Sequence, residues 1–183
     1  MCGIAGFIEA KAEKGPKELL AQVNAMTDAM LHRGPDSGGH WLSSEAGVGM
    51  GFRRLAIIDL TPSGNQPMTS SCERFVITYN GEIYNYQSLR QILETEGRRL
   101  RGQSDTEVML EGFSAWGVDE TIERLIGMFA IALWDKKNRE LTLIRDRLGI
   151  KPLYFGIQDG MFLYGSELKS LRAKSGWTPR MNR

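Results

Sequence analysis

From Met128 to Tyr164 the chain alternates apolar, β-forming runs with tight polar breaks: Phe129 to Trp134, Lys136-Lys137-Asn138, Glu140 to Arg145, then Tyr154 to Ile157, Asp159-Gly160 and Met161 to Tyr164. Breaks this short cannot bring a strand back in the parallel sense, which needs a crossover of about a dozen residues or more. The last third is therefore expected to form antiparallel hairpins, with Asp159-Gly160 as a two-residue turn.

The rest of the chain adds helices to that sheet. Gly3 to Ile8 reads as a short strand, Lys11 to Gly15 as a charged turn, and Pro16 as the start of a helix. Over Lys17 to Leu31 the apolar residues Leu19, Leu20, Val23, Met26, Met30 and Leu31 fall at helical spacing on one face. Further helices are expected over Tyr86–Glu96, closed by Gly97, over Asp105–Trp116, closed by Gly117 and capped by Ser104 or Asp105, over Val118–Leu125 and over Leu168–Ala173. Helices gather in the first and middle parts and hairpins in the last third, which points to a layered α+β domain rather than repeated βαβ units. At 183 residues one hydrophobic core is the natural expectation, spanning residues 1–175 and followed by a polar tail over 176–183.

Three segments leave alternatives open. His32 to Gly39 is punctuated by Gly and Pro and reads as a shaped loop, either a plain turn or part of a site. Val48–Arg54 and Leu55–Leu60 are β-like, and Arg53 and Arg54 within them serve either as surface cations or as carboxylate binders. Asn80-Gly81 defaults to a type I′ hairpin turn. Its functional alternative is a side-chain amide and an unobstructed backbone N–H, the two donors of an oxyanion hole.

Charge narrows the function. A net charge of +1 with acids and bases interspersed gives no footing for nucleic acid or an anionic membrane. Two cysteines, Cys2 and Cys72, do not make a disulfide framework, and no apolar run approaches the roughly 18 to 20 residues of a membrane span. A soluble protein of the reducing cytoplasm is expected.

Cys2 is the candidate nucleophile. A small residue at position two normally permits removal of the initiator Met, which would leave Cys2 with a thiol and a free α-amine. That amine, with an ordinary pKa of about 7.7 to 8.0, is able to take the proton of a thiol near about 8.5. No histidine is needed, and the chain has only His32 and His40. The alternative is a small apolar residue opening a strand.

Cys2-Gly3-Ile4-Ala5-Gly6, His32-Arg33-Gly34-Pro35-Asp36, Arg54-Leu55-Ala56-Ile57-Ile58-Asp59, Asn80-Gly81-Glu82-Ile83-Tyr84-Asn85 and Ser104-Asp105-Thr106-Glu107 together resemble the class II glutamine amidotransferases. With Asp146 to Tyr154 and Ser166-Glu167-Leu168-Lys169, the resemblance is to the glutaminase domain of glutamine-hydrolysing asparagine synthetases. It implies an N-terminal nucleophile hydrolase fold, a four-layer αββα sandwich of two antiparallel sheets between helical layers. It also implies that Cys2 attacks the amide of L-glutamine, that Asn80 and Gly81 stabilise the oxyanion, and that Arg54 binds the substrate carboxylate. By the same likeness Asp105, assisted by Glu82, receives the substrate ammonium, and the backbone of Leu55, Ala56, Ile57 and Ile58 lines the pocket.

Asparagine synthetases of this kind also carry an ATP-dependent domain with a Ser-Gly-Gly-Xaa-Asp run. Here Ser37-Gly38-Gly39 continues into His40-Trp41, without the Asp. ATP and Mg²⁺ are therefore expected to belong to a synthetase domain outside this sequence, and no cofactor or metal is expected within it. A non-catalytic glutamine-binding module remains the alternative if Met1 is retained.

Overall fold

The structure is a computed structural model, and it describes residues 1–9, 15–55 and 64–178. Its elements are β1 (Gly3–Glu9), α1 (Pro16–Asp28), β2 (Ser37–Ser43), β3 (Val48–Arg54), β4 (Met68–Thr69), β5 (Phe75–Ile83), α2 (Tyr86–Thr95) and α3 (Asp105–Trp116). There follow α4 (Val118–Arg124), β6 (Gly127–Asp135), β7 (Glu140–Arg145), β8 (Tyr154–Gln158), β9 (Met161–Gly165) and α5 (Leu168–Arg172). They form two compact units, one of Met1–Leu55 with Pro152–Arg183 and the other of Ala56–Lys151.

The first unit is built from both ends of the chain. Its five-stranded sheet has the order β2-β3-β1-β9-β8, every pair antiparallel, so β1 is the central strand. Alternation along β1 sends Ala5 and Phe7 into a core with Leu19, Val23, Met26 and Met30 of the first helical segment and Leu163 and Leu171 from the end of the chain. Leu19, Val23, Met26 and Met30 of the expected stripe are buried, but the α-helix ends at Asp28 and Leu31, in the turn that follows, is half exposed. Pro16 starts the helix at its first turn, where a missing N–H costs nothing. At the far end of the chain, Lys174 is fully buried, ion-paired with Glu9 of β1 and 4.7 Å over the ring of Phe7.

The second unit has a four-stranded antiparallel sheet of order β4-β5-β6-β7. Phe75, Ile77, Tyr79 and Ile83 of β5, with Phe129, Ile131 and Leu133 of β6, pack against Leu89 and Leu93 of α2 and Val108, Leu110 and Phe113 of α3. The other face of the same strands, with Val76, Thr78, Asn80, Ala130 and Ala132, is also buried. Alternate residues thus divide sharply between a helix-covered apolar face and a face that carries buried polar groups.

The hairpins expected in the last third are present, and Asp159 and Gly160 both have positive φ, 51° and 77°, as a type I′ turn requires. Two expectations are corrected. Asn80-Gly81 is no turn: β5 runs unbroken from Phe75 to Ile83, with Asn80 opposite Ala130 and Gly81 opposite Phe129. Pairing with the nine-residue strand β6 overrides the local turn preference. His32–Gly39 is only in part a loop, since Ser37, Gly38 and Gly39 enter β2 and pair with Arg54, Arg53 and Phe52. The expected turn at Lys11–Gly15 and strand at Leu55–Leu60 lie largely outside the described residues.

Candidate functional site

Cys2 stands one residue before the first rung of the β1–β3 ladder. Gly3 pairs with Arg53, so the antiparallel register brings Cys2 to the end of β3, where Arg54 and Leu55 follow. The sulfur meets the Leu55 main chain twice: the Leu55 N–H donates to Cys2 Sγ at 3.4 Å, and the thiol donates to the Leu55 carbonyl at 3.6 Å. Cys2 is half-buried and free of any disulfide.

Arg54 is buried at the end of β3, and the turn after the first helical segment runs along its main chain. Asp36 N–H donates to the Arg54 carbonyl at 3.1 Å, and Pro35 bridges to the same residue. Gly34 permits this approach, because a Cβ there would lie 2.4 Å from the Arg53 carbonyl carbon and 2.5 Å from Arg54 N. Gly34 in His32-Arg33-Gly34-Pro35-Asp36 thus serves backbone contact.

Arg33 is the group that sequence reasoning left without a role. Its Nε donates to the Cys2 carbonyl at 3.0 Å, and its Nη1 donates to Glu167 Oε1 at 3.1 Å. Glu167 also has His32 Nε2 at 3.0 Å and Lys169 Nζ at 3.2 Å. Burial pushes the Glu167 carboxyl up, but hydrogen bonds from Arg33, His32 and Lys169 outweigh it and hold the group below the usual glutamate range. Beside it, Ser166 accepts the Ile4 N–H on Oγ at 3.1 Å and donates its own N–H to the Ile4 carbonyl at 2.9 Å.

In the second unit the candidate residues cluster along β5 beyond the end of β4. The N–H groups of Tyr79 and Ile83 point to the β4 edge and are taken by side chains: Gln66 Oε1 accepts Tyr79 N–H at 2.6 Å, and Asp105 Oδ2 accepts Ile83 N–H at 3.1 Å. Alternation directs the Gly81 N–H to the same edge, between them. Asp105 Oδ2 also accepts from the Tyr79 hydroxyl at 2.8 Å, so this carboxylate at the first turn of α3 is held against the strand. Ser104 caps that helix by accepting the Glu107 N–H at 3.3 Å, as its position predicts. The Glu107 carboxylate reaches back to the N–H groups of Arg101 and Gly102 at 2.8 and 2.7 Å, fixing the loop that delivers Asp105.

Asn80 projects to the opposite face of β5. It is 2% exposed, and its Nδ2 has no hydrogen-bond partner among the described residues. A buried amide donor left unpaired costs about 1 to 3 kcal/mol. Gly81 has a packing reason as well: a Cβ there would lie 2.2 Å from the Met128 carbonyl oxygen and 2.7 Å from Tyr79 Cε2. Glu82 follows on β5, half-buried opposite Met128.

Cys2, Arg54 and Leu55 therefore gather in the first unit and Asn80, Gly81, Glu82 and Asp105 in the second. Ala56, Ile57 and Ile58 lie outside the described residues. Among the described residues no three His, Cys, Asp or Glu side chains are grouped to hold a metal ion. No helix among them is long and apolar enough to cross a membrane.

Comparison with known proteins gives this arrangement a context. The family model described as a glutamine amidotransferase domain matches residues 1–183. Asparagine synthetase (glutamine-hydrolysing) 3 of Bacillus subtilis is 38% identical over 100% of this chain and 29% of its own length. Asparagine synthetase (glutamine-hydrolysing) 1 of the same organism is 41% identical over 93% of the chain and 26% of its own length. The chain thus spans under a third of these relatives. Among solved structures, glutamine phosphoribosylpyrophosphate amidotransferase from B. subtilis superposes with a TM-score of 0.78 at 19% identity, over 94% of this chain and 43% of that one. The likeness extends over both units and identifies the fold as the N-terminal nucleophile hydrolase type, two antiparallel sheets with flanking helices.

Proposed function

Since the chain belongs to the glutamine amidotransferase family, we propose that its reaction is hydrolysis of L-glutamine to L-glutamate and ammonia through a thioester on Cys2. The observation that carries this reading is the buried Asn80 Nδ2, which has no partner among the described residues. It is a preorganised donor awaiting negative charge, as an oxyanion hole requires.

The roles follow residue by residue. Removal of Met1 gives Cys2 an α-amine, which takes the thiol proton. The sulfur attacks the side-chain carbonyl carbon, and the oxyanion that forms is met by Asn80 Nδ2 and the Gly81 N–H. The carbon–nitrogen bond then breaks, the amine returns a proton to the departing ammonia, and water cleaves the γ-glutamyl thioester. The Leu55 N–H, 3.4 Å from the sulfur, holds it in place. Arg54 suits the substrate carboxylate because a guanidinium offers a planar fork of donors. Asp105, fixed by Tyr79 and Ile83 and helped by Glu82, receives the substrate ammonium. Leu55, Ala56, Ile57 and Ile58 contribute pocket backbone.

This hydrolysis needs no cofactor or metal in this chain. In the asparagine synthetase relatives the ammonia acceptor would be served by the remaining two thirds of the polypeptide, and we assign ATP and Mg²⁺ to such a synthetase domain. A reaction that depends on a free thiol fits the reducing cytoplasm.

The test is intact mass before and after exposure to a diazoketone analogue of glutamine, with peptide mapping and an assay for glutamate. Loss of Met1, one adduct on Cys2 and glutamate release support the reading. Retained Met1, no adduct and glutamine binding without turnover would make the chain a glutamine-binding module instead.

A further inference from the structure

What fixes the nucleophile is not the sheet. The β1 ladder begins at Gly3, so Cys2 lies beyond its last rung, where a strand end ordinarily frays. Two adjacent residues after β9 supply the missing restraint. Ser166, fully buried, takes both main-chain groups of Ile4, completing a rung with its N–H and hydroxyl. Glu167 takes the Arg33 guanidinium, whose Nε in turn holds the Cys2 carbonyl.

We propose that Ser166-Glu167 is the positioning element for the N-terminal nucleophile, with Glu167 acting on Cys2 through Arg33. The inference rests on the reading of Cys2 as the attacking residue. Arg33 has an 8% exposed side chain and reaches Cys2 by one hydrogen bond only, so its aim depends on a second anchor. A buried ion pair is weak evidence of net stability, because desolvation offsets much of the attraction. What it gives is direction: with Nη1 held by Glu167, the guanidinium plane is set and Nε presents to one carbonyl. Lys169 and His32, both about half exposed, bind the same carboxylate, Lys169 on Oε2 and His32 on the Oε1 that Arg33 uses, and restrict its rotation.

The chemistry explains why such a device is worthwhile. A nucleophile displaced by about 1 Å costs on the order of a hundredfold in rate, and Cys2 carries both the attacking atom and the base on one backbone. An error in its carbonyl plane moves both.

The experiment compares Glu167→Ala, Glu167→Gln, Arg33→Lys and the combined Arg33→Lys, Glu167→Ala chain. Glutamine hydrolysis, carbon-13 relaxation at Cys2 Cα and relaxation of the Gly3 and Ile4 amides are measured on each. Glu167→Ala is expected to lower kcat by about 10- to 100-fold with KM within about threefold. Glu167→Gln, which keeps an acceptor, recovers part of the loss. The combined chain should be no slower than the slower single variant, since both act through one contact. Mobility at Cys2 rises in Glu167→Ala. Unchanged kcat, or losses that multiply in the combined chain, overturns the proposal. A parent protein that turns over no glutamine removes the proposed function instead, and the positional claim is then decided by mobility alone: an equally ordered Cys2 in Glu167→Ala overturns it.

Discussion

The main-chain N–H of Leu55 points at the sulfur of Cys2 from 3.4 Å, so the residue that follows β3 touches the proposed nucleophile just before β1. Removing that atom should separate chemistry from binding. Cys2→Ala is expected to abolish glutamate production and to leave glutamine affinity within roughly tenfold, because the substrate's charged ends are held by other residues. Calorimetry on the variant checks this, and a loss of binding as complete as the loss of turnover would count against it.

Asn80 offers a different separation. Its Nδ2 makes no hydrogen bond among the described residues, so truncation to Ala removes no native bond of that atom and uncovers no partner. Stability in urea should therefore change by only about 1 kcal/mol, the small cavity being offset by relief of an unpaired donor. Activity should fall by about two to three orders of magnitude, the usual cost of an oxyanion donor. Equal losses in both would make Asn80 a structural residue.

At Gly81 the expectation reverses. A methyl group there meets a carbonyl oxygen of the neighbouring strand at 2.2 Å, a backbone atom that has no rotamer in which to escape. Gly81→Ala should cost about 1 to 3 kcal/mol by forcing β5 and β6 apart, seen as a lower urea midpoint. An unaltered midpoint would show that the strands yield at no cost.

Asp146 governs the acid limit. Burial raises its carboxyl, yet the N–H groups of Lys151, Ile150, Phe129 and Leu148 outweigh that and hold it below the ordinary aspartate range. Ile150 and Lys151 donate at 2.8 and 2.9 Å, closing the 146–151 loop. A lowered folded value contributes stability that is complete above the unfolded value of about 3.9 and is lost as pH falls through the folded one. Wild type should therefore exceed Asp146→Asn in stability at pH 7, with the gap closing below about pH 4. Denaturation at several pH values reads it directly, and a gap independent of pH would refute the charge-based account.

Much of this was legible from residue patterns, and the exceptions have causes. The helical stripe of α1, the hairpins after Met128 and the cap at Ser104 are local, set by neighbours within a few positions. Asn80-Gly81 misleads because its turn preference is local while the pairing that overrides it joins Gly81 to Phe129. Cys2, Arg54 and Leu55 were legible as candidates, and the β1–β3 register brings them together. Arg33 was quoted without a job because its partner Glu167 is 134 positions away, and no spacing rule links them. Gln66, only 13 positions from Tyr79, was hidden for another reason: its value lies in taking the Tyr79 N–H beyond the two residues of β4, whose shortness no local pattern shows.

The first unit begins with Met1 and closes only with strands and a helix that follow Pro152. Ile4 is bonded to a residue 162 positions later, and Glu9 is ion-paired with one 165 positions later. Contacts of such separation form late, since the chain between them must first lose its freedom. On the ribosome, the segment carrying Cys2 is made long before Ser166 and Glu167, and its restraints do not exist until they follow. The thiol is thus made early and placed late, and a nascent chain stalled before Ser166 would hold a cysteine without the groups that aim it.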